Sequence, residues 1–254
     1  MSSFNASRLL IHPPFSGAMN MAVDEFLLNA GTEGTSALRF YEWSSPTISL
    51  GHFQAVAGSS VPERFSSLDR VRRLSGGGAI LHHHELTYSC VIPASHPVAS
   101  EPVQLYDLVH EAIINVLTAQ KVPCQLRGDA AFADQSFLCF SRGDARDIVS
   151  GAHKIVGSAQ RRRQGAILQH GSILLKRSEL APEFPGIEDL TGVSLSAEIL
   201  VTLLIPAIAA RLELPLEKRE FSPEEWAAIR QQAANGTISL SGSTIERQGR
   251  ADCQ

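Results

Sequence analysis

The sequence has no hydrophobic run long enough for a membrane-spanning helix. Its longest apolar stretch, 199–210, contains Thr202 and Pro206 and is shorter than the roughly 18 to 20 residues needed to cross a bilayer. The first residues, MSSFNASRLLIHPPFSG, show no basic segment followed by an apolar core, so we predict no signal peptide. We therefore expect a cytoplasmic protein with no membrane partner.

The sequence also has few cysteines and no excess of positive charge. The four cysteines form no CxxC pair, which argues against a disulfide scaffold and against a structural zinc ribbon. Lys and Arg total 22 against 26 Asp and Glu, for a formal charge of −4, so we expect no nucleic-acid partner. The 254 residues, 44% of them hydrophobic, can bury one substantial core. We predict a single domain over 1–254, in which 180–254 is a helical C-terminal appendage.

Two periodicities in the sequence predict an α+β fold. Apolar residues recur with helical spacing in 19–30 and 103–120, and 194–212 and 222–234 are also predicted to be helical. The stretches 37–50, 70–74, 79–92 and 147–175 resemble strands that are divided by turns. Because hairpins that follow one another pair antiparallel, we expect helices to pack on a mainly antiparallel sheet.

Three consecutive glycines, 76–78, lie between two predicted strands and directly follow Arg72, Arg73 and two further residues. Glycine permits positive φ angles and lets backbone N–H groups approach a ligand closely. The sequence contains no GxxxxGK[ST], so this is not a Walker A loop. From the residues alone, a ligand-binding loop and a flexible hairpin tip or bulge explain the run equally well.

A run of three histidines, His82, His83 and His84, suggests a metal site at first sight. On a strand, alternate side chains point to opposite faces, so only His82 and His84 could share an ion. No third ligand has a suitable spacing, and HExxH is absent. We therefore predict no metal here and favour packing or a substrate contact.

One cysteine and one lysine are candidates for chemistry. Cys139 lies where an apolar run opens into a polar loop that contains Arg142 and Arg146, and positive charge favours the reactive thiolate. An inert half-buried cysteine nevertheless fits the spacing better. Lys154 interrupts an apolar β-type run just before small residues, which indicates either a charge held in a cleft or an edge-strand lysine.

Four segments together resemble the lipoate/octanoate branch of the biotin and lipoate protein ligase superfamily. They are NMAVDEFLL, LRFYEWSSPTISLGHFQ, RRLSGGGAILHHHELTYSCVIP and KIVGSAQRRRQGAILQHGSILL, in the order typical of the family, over most of residues 17–176. The resemblance implies a mixed, largely antiparallel sheet flanked by helices, as in the class II synthetase and biotin-protein ligase fold. It also implies an acyl site beside the glycine run.

Within this superfamily, ligases use ATP to form an acyl-adenylate, whereas octanoyltransferases form a cysteine thioester and use no cofactor. Cys139, followed by Phe140 and preceding the KIVGSAQ segment, resembles the cysteine of the octanoyltransferases. The resemblance therefore implies Cys139 and Lys154 as catalytic residues. It implies substrate-binding roles for Arg72, Arg73, Gly76, Gly77, Gly78, His82, Gly157, Ser158, Ala159 and His170.

The reaction implied by this resemblance is a ping-pong acyl transfer. Octanoyl-acyl carrier protein acylates Cys139, and a lysine of a lipoyl-domain acceptor, the glycine cleavage H protein or a dehydrogenase E2, then receives the octanoyl group. Lys154 is expected to favour the thiolate, to stabilise the oxyanion and, when neutral, to accept the proton of the amine. Three alternatives stay open: an ATP-dependent lipoate-protein ligase, octanoyl transfer between carrier domains, and a protein that only docks lipoyl domains.

Overall fold

A computed structural model describes residues 7–54, 61–128, 137–141 and 143–236. The first half contains β1 (Ser7–Ile11), α1 (Gly17–Thr32), β2 (Ala37–Tyr41), β3 (Thr47–Leu50), β4 (Asp69–Arg72), β5 (Ile80–His82), β6 (Glu85–Ile92), α2 (Pro102–Ala119) and β7 (Gln125–Leu126). The second half contains β8 (Ile148–Ser150), β9 (His153–Arg163), β10 (Ala166–Leu174), α3 (Ile187–Thr191), α4 (Ala197–Leu212), β11 (Leu216–Lys218) and α5 (Pro223–Gly236).

The described strands form two sheets. The larger has the order β11-β1-β2-β6-β10-β9-β8-β7, and the smaller has the order β4-β3-β5. Pairing is parallel for β1 with β2, β1 with β11 and β3 with β4, and antiparallel for the other described pairs. The prediction of an α+β fold with a mixed, largely antiparallel sheet flanked by helices is thus confirmed.

Helices cover both faces of the large sheet. On β6, Cys90 and Ile92 pack with α2 and α4, whereas Val91 packs with α1 and α5. Because neighbouring side chains of a strand point to opposite faces, the two helix pairs lie on opposite sides. Every residue of β6 and β10 is consequently buried, and the centre of the sheet forms the core. Within the described ranges, none of the helices has both the length and the apolar character that crossing a bilayer demands.

The C-terminal segment contributes to the sheet as well as to the helical layers. Strand β11 pairs with β1 at the sheet edge, α4 packs on α2, and α5 packs on α1. Helix α5 begins with a capping box: the Glu225 amide donates to Ser222 Oγ at 3.2 Å, and the Ser222 amide donates to Glu225 Oε2 at 2.8 Å. Residues 180–236 are therefore helices plus one strand, and the division at residue 180 stays a prediction.

The glycine run does not form a hairpin tip. Strands β4 and β5 lie on opposite sides of β3, so residues 73–79 cross over the end of β3. Gly77 has a φ of 93°, a conformation that disfavours residues with a Cβ. The crossover brings the loop beside strands β9 and β10 of the large sheet, where the cavity described next is located.

Candidate active site

A cavity of about 450 Å³ opens between the glycine loop, α2 and strands β9 and β10. This volume lies within the range of small-molecule sites in proteins. Cys139 and Lys154 both line the cavity, together with most of the residues for which the sequence predicts a substrate contact. Those lining residues are Arg73, Gly76, Gly77, Gly78, His82, Gly157, Ser158, Ala159 and His170.

Arg73 fixes the conformation of the glycine loop from within. Its buried guanidinium donates to the carbonyl oxygens of Ser49 at 2.9 Å, Gly76 at 2.6 Å and Gly78 at 2.7 Å. A Cβ at Gly77 would lie 3.0 Å from Arg73 Nη2 and 3.8 Å from Cys139 Sγ. Gly77 therefore brings bare backbone next to the thiol.

Arg72 lies outside the cavity lining, unlike the other predicted substrate-binding residues. Its guanidinium donates to the carbonyl oxygens of Gly51 at 2.8 Å, His52 at 3.1 Å and Gln54 at 2.8 Å. In this structure Arg72 therefore holds the segment 51–54, and its predicted contact with substrate is not supported by its position.

Cys139 is held beside the glycine loop by backbone hydrogen bonds. It begins a short 3₁₀ turn, Cys139–Ser141, and its amide donates to the Ala79 carbonyl at 2.6 Å. Its side chain is half-buried and lines the cavity. Arg142, which the sequence places near this thiol, lies outside the described residues.

The other described cysteines lie elsewhere. Cys90 is fully buried in β6, and burial raises the pKa of its thiol to about 12, so it is protonated and inaccessible. Burial also raises the pKa of Cys124. Neither lines the cavity. Among the cysteines in the described part of the chain, only Cys139 is both accessible and next to the predicted lysine site.

Lys154 points into the cavity from the middle of the sheet. Strand β9 lies between β8 and β10, so the edge-strand alternative is wrong. A Cβ at Gly157 would lie 2.4 Å from Lys154 Cε, which explains why the lysine stem requires glycine there. Lys154 Nζ lies 5.1 Å from the ring centre of Phe140, the residue after Cys139. The structure thus brings the two predicted catalytic residues to one site.

Asp147 is a functional-site residue that our sequence analysis missed. Its Oδ1 lies 2.8 Å from Lys154 Nζ, and the two side chains are 4% and 6% exposed. Its Oδ2 accepts from the Asp144 amide at 2.8 Å and lies 3.5 Å from Arg127 Nε. The carboxylate therefore pairs with the lysine and fixes the turn before β8. The sequence carries no signal of this proximity, because it depends on the register in which Val149 pairs with Lys154.

A network of hydrogen-bonded side chains, also missed from the sequence, extends from α2 across the cavity wall. His110 Nδ1 lies 2.6 Å from the Arg146 carbonyl oxygen, and its Nε2 lies 2.7 Å from Ser158 Oγ. Ser158 Oγ also lies 2.7 Å from the Tyr88 hydroxyl, which accepts from Gln169 Nε2 at 3.0 Å. Burial lowers the pKa of His110, so its imidazole is neutral at neutral pH.

His170 links the cavity to a buried ion pair behind the glycine loop. Its Nε2 lies 2.5 Å from Ser75 Oγ, and its Nδ1 lies 3.1 Å from Asp24 Oδ2. Asp24 also pairs with Arg39 at 2.7 Å, with both side chains buried. Burial by itself would raise the pKa of Asp24, but the His170 hydrogen bond and the Arg39 charge lower it. His170 is thus oriented by a carboxylate and supports the loop.

His82 is similarly held inside the fold. Its Nδ1 lies 2.6 Å from Glu85 Oε1, its Nε2 lies 2.7 Å from Ser49 Oγ, and its ring stacks on Trp43 with centroids 3.7 Å apart. With both ring nitrogens engaged, His82 can present only its ring to a substrate in the cavity.

The structure changes which histidines could share an ion. Strand β5 ends at His82 and β6 begins at Glu85, so the expected alternation is broken by a turn. His83 and His84 stack side by side there, and their donor atoms and that of Glu179 lie within 4.8 Å of one another. The expectation that His82 and His84 are the pair is therefore wrong, because His82 faces inward. None of the three clustered residues lines the cavity.

The sequence is similar to those of known proteins over most of its length. The family described as lipoyl protein ligase A/B catalytic domain matches residues 16–182. Octanoyltransferase LipM of Kyrpidia tusciae is 34% identical over 271 residues, which cover 89% of this chain and 94% of the relative. LipM of Clostridioides difficile is 28% identical over 256 residues, with the same two coverages.

Solved structures are similar in fold. A putative lipoate protein ligase from T. acidophilum with bound lipoic acid has a TM-score of 0.73 at 21% identity, over 91% of this chain and 96% of that chain. A lipoate-protein ligase A bound with ATP has a TM-score of 0.70 at 22% identity, over 91% and 95%. The fold is therefore that of the lipoate-protein ligases.

Proposed function

This chain belongs to the lipoyl protein ligase A/B catalytic domain family, and on that premise we propose that it transfers an octanoyl group through a thioester on Cys139. The protein is an octanoyltransferase of lipoate biosynthesis, like the relatives that cover most of its length. The observation that carries the proposed route is the position of Cys139, which lines one cavity with Lys154 and the glycine loop.

In the first half-reaction the Cys139 thiolate attacks the thioester carbonyl of octanoyl-acyl carrier protein. A bond forms between the carbonyl carbon and Cys139 Sγ, the bond to the pantetheine sulfur breaks, and the leaving thiolate takes up a proton. The octanoyl chain occupies the cavity. The Lys154 ammonium lies next to Phe140 and is buried, so it can stabilise the oxyanion as it develops.

In the second half-reaction the acceptor is a lysine of a lipoyl domain. Its neutral amine attacks the octanoyl thioester and gives up one proton, an amide bond forms, and Cys139 leaves as the thiolate. A bi-partite lipoate protein ligase of similar fold from Thermoplasma acidophilum is described with its E2 lipoyl domain. For this chain we propose the glycine cleavage H protein as the preferred acceptor, with a dehydrogenase E2 domain as the alternative. The cavity opening is where the acceptor lysine would enter.

Intact-mass spectrometry without ATP tests the proposed route. The protein is incubated with octanoyl-acyl carrier protein, and we expect one octanoyl adduct, which Cys139→Ser abolishes because a hydroxyl is a far weaker nucleophile. Cys124→Ser is the matched control and should acylate normally, since Cys124 lies away from the cavity. Addition of apo H protein or an apo E2 domain should discharge the adduct at rates that rank the two acceptors.

Two results would contradict the thioester route. Cys139→Ser that keeps most of the wild-type transfer rate would show that the thiol is not the nucleophile. Transfer that requires ATP and free octanoate or lipoate would favour the ATP-dependent ligase.

A further inference from the structure

The second half-reaction needs a group that takes a proton from the attacking amine. Lys154 pairs with Asp147 at 2.8 Å in a buried site, and an ammonium in such a pair has donors but no lone pair. It is suited to holding negative charge on the substrate oxygen, not to accepting a proton. A different group at the cavity wall is therefore needed to accept the proton of the attacking amine.

The hydrogen bonds of His110 determine where its proton lies. A carbonyl oxygen can only accept, so the contact of 2.6 Å with the Arg146 carbonyl requires a proton on His110 Nδ1. In the neutral imidazole, Nε2 then carries the lone pair. Ser158 must donate its hydroxyl proton to that nitrogen across 2.7 Å.

The other hydrogen bonds that lead to Ser158 run in the same direction, from donor to acceptor toward His110. Since the Ser158 proton is used toward His110, the Tyr88 hydroxyl donates to Ser158 Oγ at 2.7 Å. Tyr88 in turn accepts from Gln169, whose Oε1 accepts from Gln160 Nε2 at 2.8 Å. The hydrogen bonds from Gln160 through Gln169, Tyr88 and Ser158 therefore all donate toward His110, and Gln160 Nε2 also donates to the Pro102 carbonyl at 2.7 Å. Ser158 lines the cavity, and its hydroxyl is thus polarised by the basic Nε2 of His110.

We propose that Ser158 and His110 form a proton relay for the second half-reaction, in which Ser158 receives the proton of the acceptor amine and passes its own to His110 Nε2. This inference rests on the proposed function, because it concerns the discharge of the Cys139 thioester. Ser158 is the group that touches the amine, and His110 is a positioning residue that acts through it.

The step balances without any further reactant. The amine nitrogen bonds to the thioester carbon and loses one proton to Ser158 Oγ, while the Ser158 proton moves to His110 Nε2. The carbon–sulfur bond breaks, and its electron pair leaves on Cys139. Amide, thiolate and imidazolium result, and the imidazolium returns its proton to solvent before the next turnover. The imidazolium would lie among Asp107 on its own helix, Asp147, Arg146 and Lys154.

The test measures the two half-reactions separately. The octanoyl-enzyme is formed with octanoyl-acyl carrier protein, freed of donor, and mixed with apo H protein in a quenched-flow apparatus with intact-mass detection. We expect Ser158→Ala and His110→Gln each to slow discharge by roughly 10²- to 10³-fold, the scale of general-base catalysis. The loading rate and the KM for the acceptor should change by less than about threefold.

A double variant and a matched histidine complete the design. Because the two residues act as one unit, Ser158→Ala with His110→Gln should be no slower than either single variant. His96→Gln is the control, since His96 is another buried histidine that bonds a carbonyl, that of Leu212 at 3.0 Å, away from the cavity. It should discharge at the wild-type rate. Ser158→Ala tests the relay even if His110→Gln does not fold.

Three results would overturn the relay. Discharge at the wild-type rate in Ser158→Ala would do so directly. Equal losses in loading and discharge would show that the pair only supports the cavity wall. If the wild-type protein forms no octanoyl adduct at all, the thioester route itself fails, and the relay fails with it.

Discussion

Replacing Asp147 by Asn should lower the free energy of unfolding by about 3 to 5 kcal/mol, because it leaves the Lys154 ammonium buried without its carboxylate. At the observed Nζ–Oδ1 distance of 2.8 Å, the attraction is about 6 kcal/mol for an effective dielectric constant of about 20. Desolvation of the two side chains, which are 6% and 4% exposed, offsets part of that attraction in the wild type. The cost of burying the Lys154 ammonium is not recovered when only the Asp147 charge is removed.

Urea denaturation of a double-mutant cycle measures the effect. Lys154→Met should cost less than Asp147→Asn, because Asp147 keeps its contact with Arg127 at 3.5 Å and the Asp144 amide at 2.8 Å. The double variant should be more stable than the sum of the single losses implies, by at least about 2 kcal/mol. Losses that add to within about 0.5 kcal/mol would refute a coupled buried pair.

Two further predictions concern the glycine loop and acid stability. Gly77→Ala should lower the melting temperature, because φ is 93° there, at a cost of roughly 1 to 2 kcal/mol. A Cβ at Gly76 would meet nothing within 4 Å, so Gly76→Ala should leave the melting temperature unchanged. Equal melting temperatures for the two variants would contradict the loop geometry. Burial and the Arg39 charge lower the pKa of His12 to about 3. Below about pH 6.5, His12 of the unfolded chain therefore binds a proton that His12 of the native state does not bind. Stability should fall by about 2 kcal/mol from pH 6.5 to 5 in denaturation curves, and an unchanged slope in His12→Gln would exclude His12 as the source.

Local patterns identified most of the elements because those elements are specified locally. The apolar period of 103–120 predicts α2 to within one residue at each end, and the predicted helix 222–234 starts within one residue of α5. The family resemblance supplied the catalytic roles expected of Cys139 and Lys154, and the mixed sheet. The positions of both residues agree with it, although their catalytic roles stay proposals.

The missed residues depend on contacts between distant elements. Asp147 faces Lys154 because the β8–β9 hairpin turns at Gly151, with a φ of 58°, and sequence spacing alone does not fix that register. His110 follows Val109 in an apolar helix, where a histidine is usually a core residue. Only the packing of α2 beside β9 places its Nε2 against Ser158.

Arg72, the last residue of β4, and Arg73, which follows it, hold two loops in fixed positions. Arg73 binds carbonyls of the glycine loop, and Arg72 binds carbonyls of residues 51–54. The backbones of these loops also touch: the His52 amide donates to the Ser75 carbonyl at 2.9 Å, and a Cβ at Gly51 would lie 2.0 Å from the Gly77 oxygen. A substrate that pushes Gly77 outward must therefore move residues 51–54 as well. The width of the cavity is set in part by Gly51, a residue that does not line it.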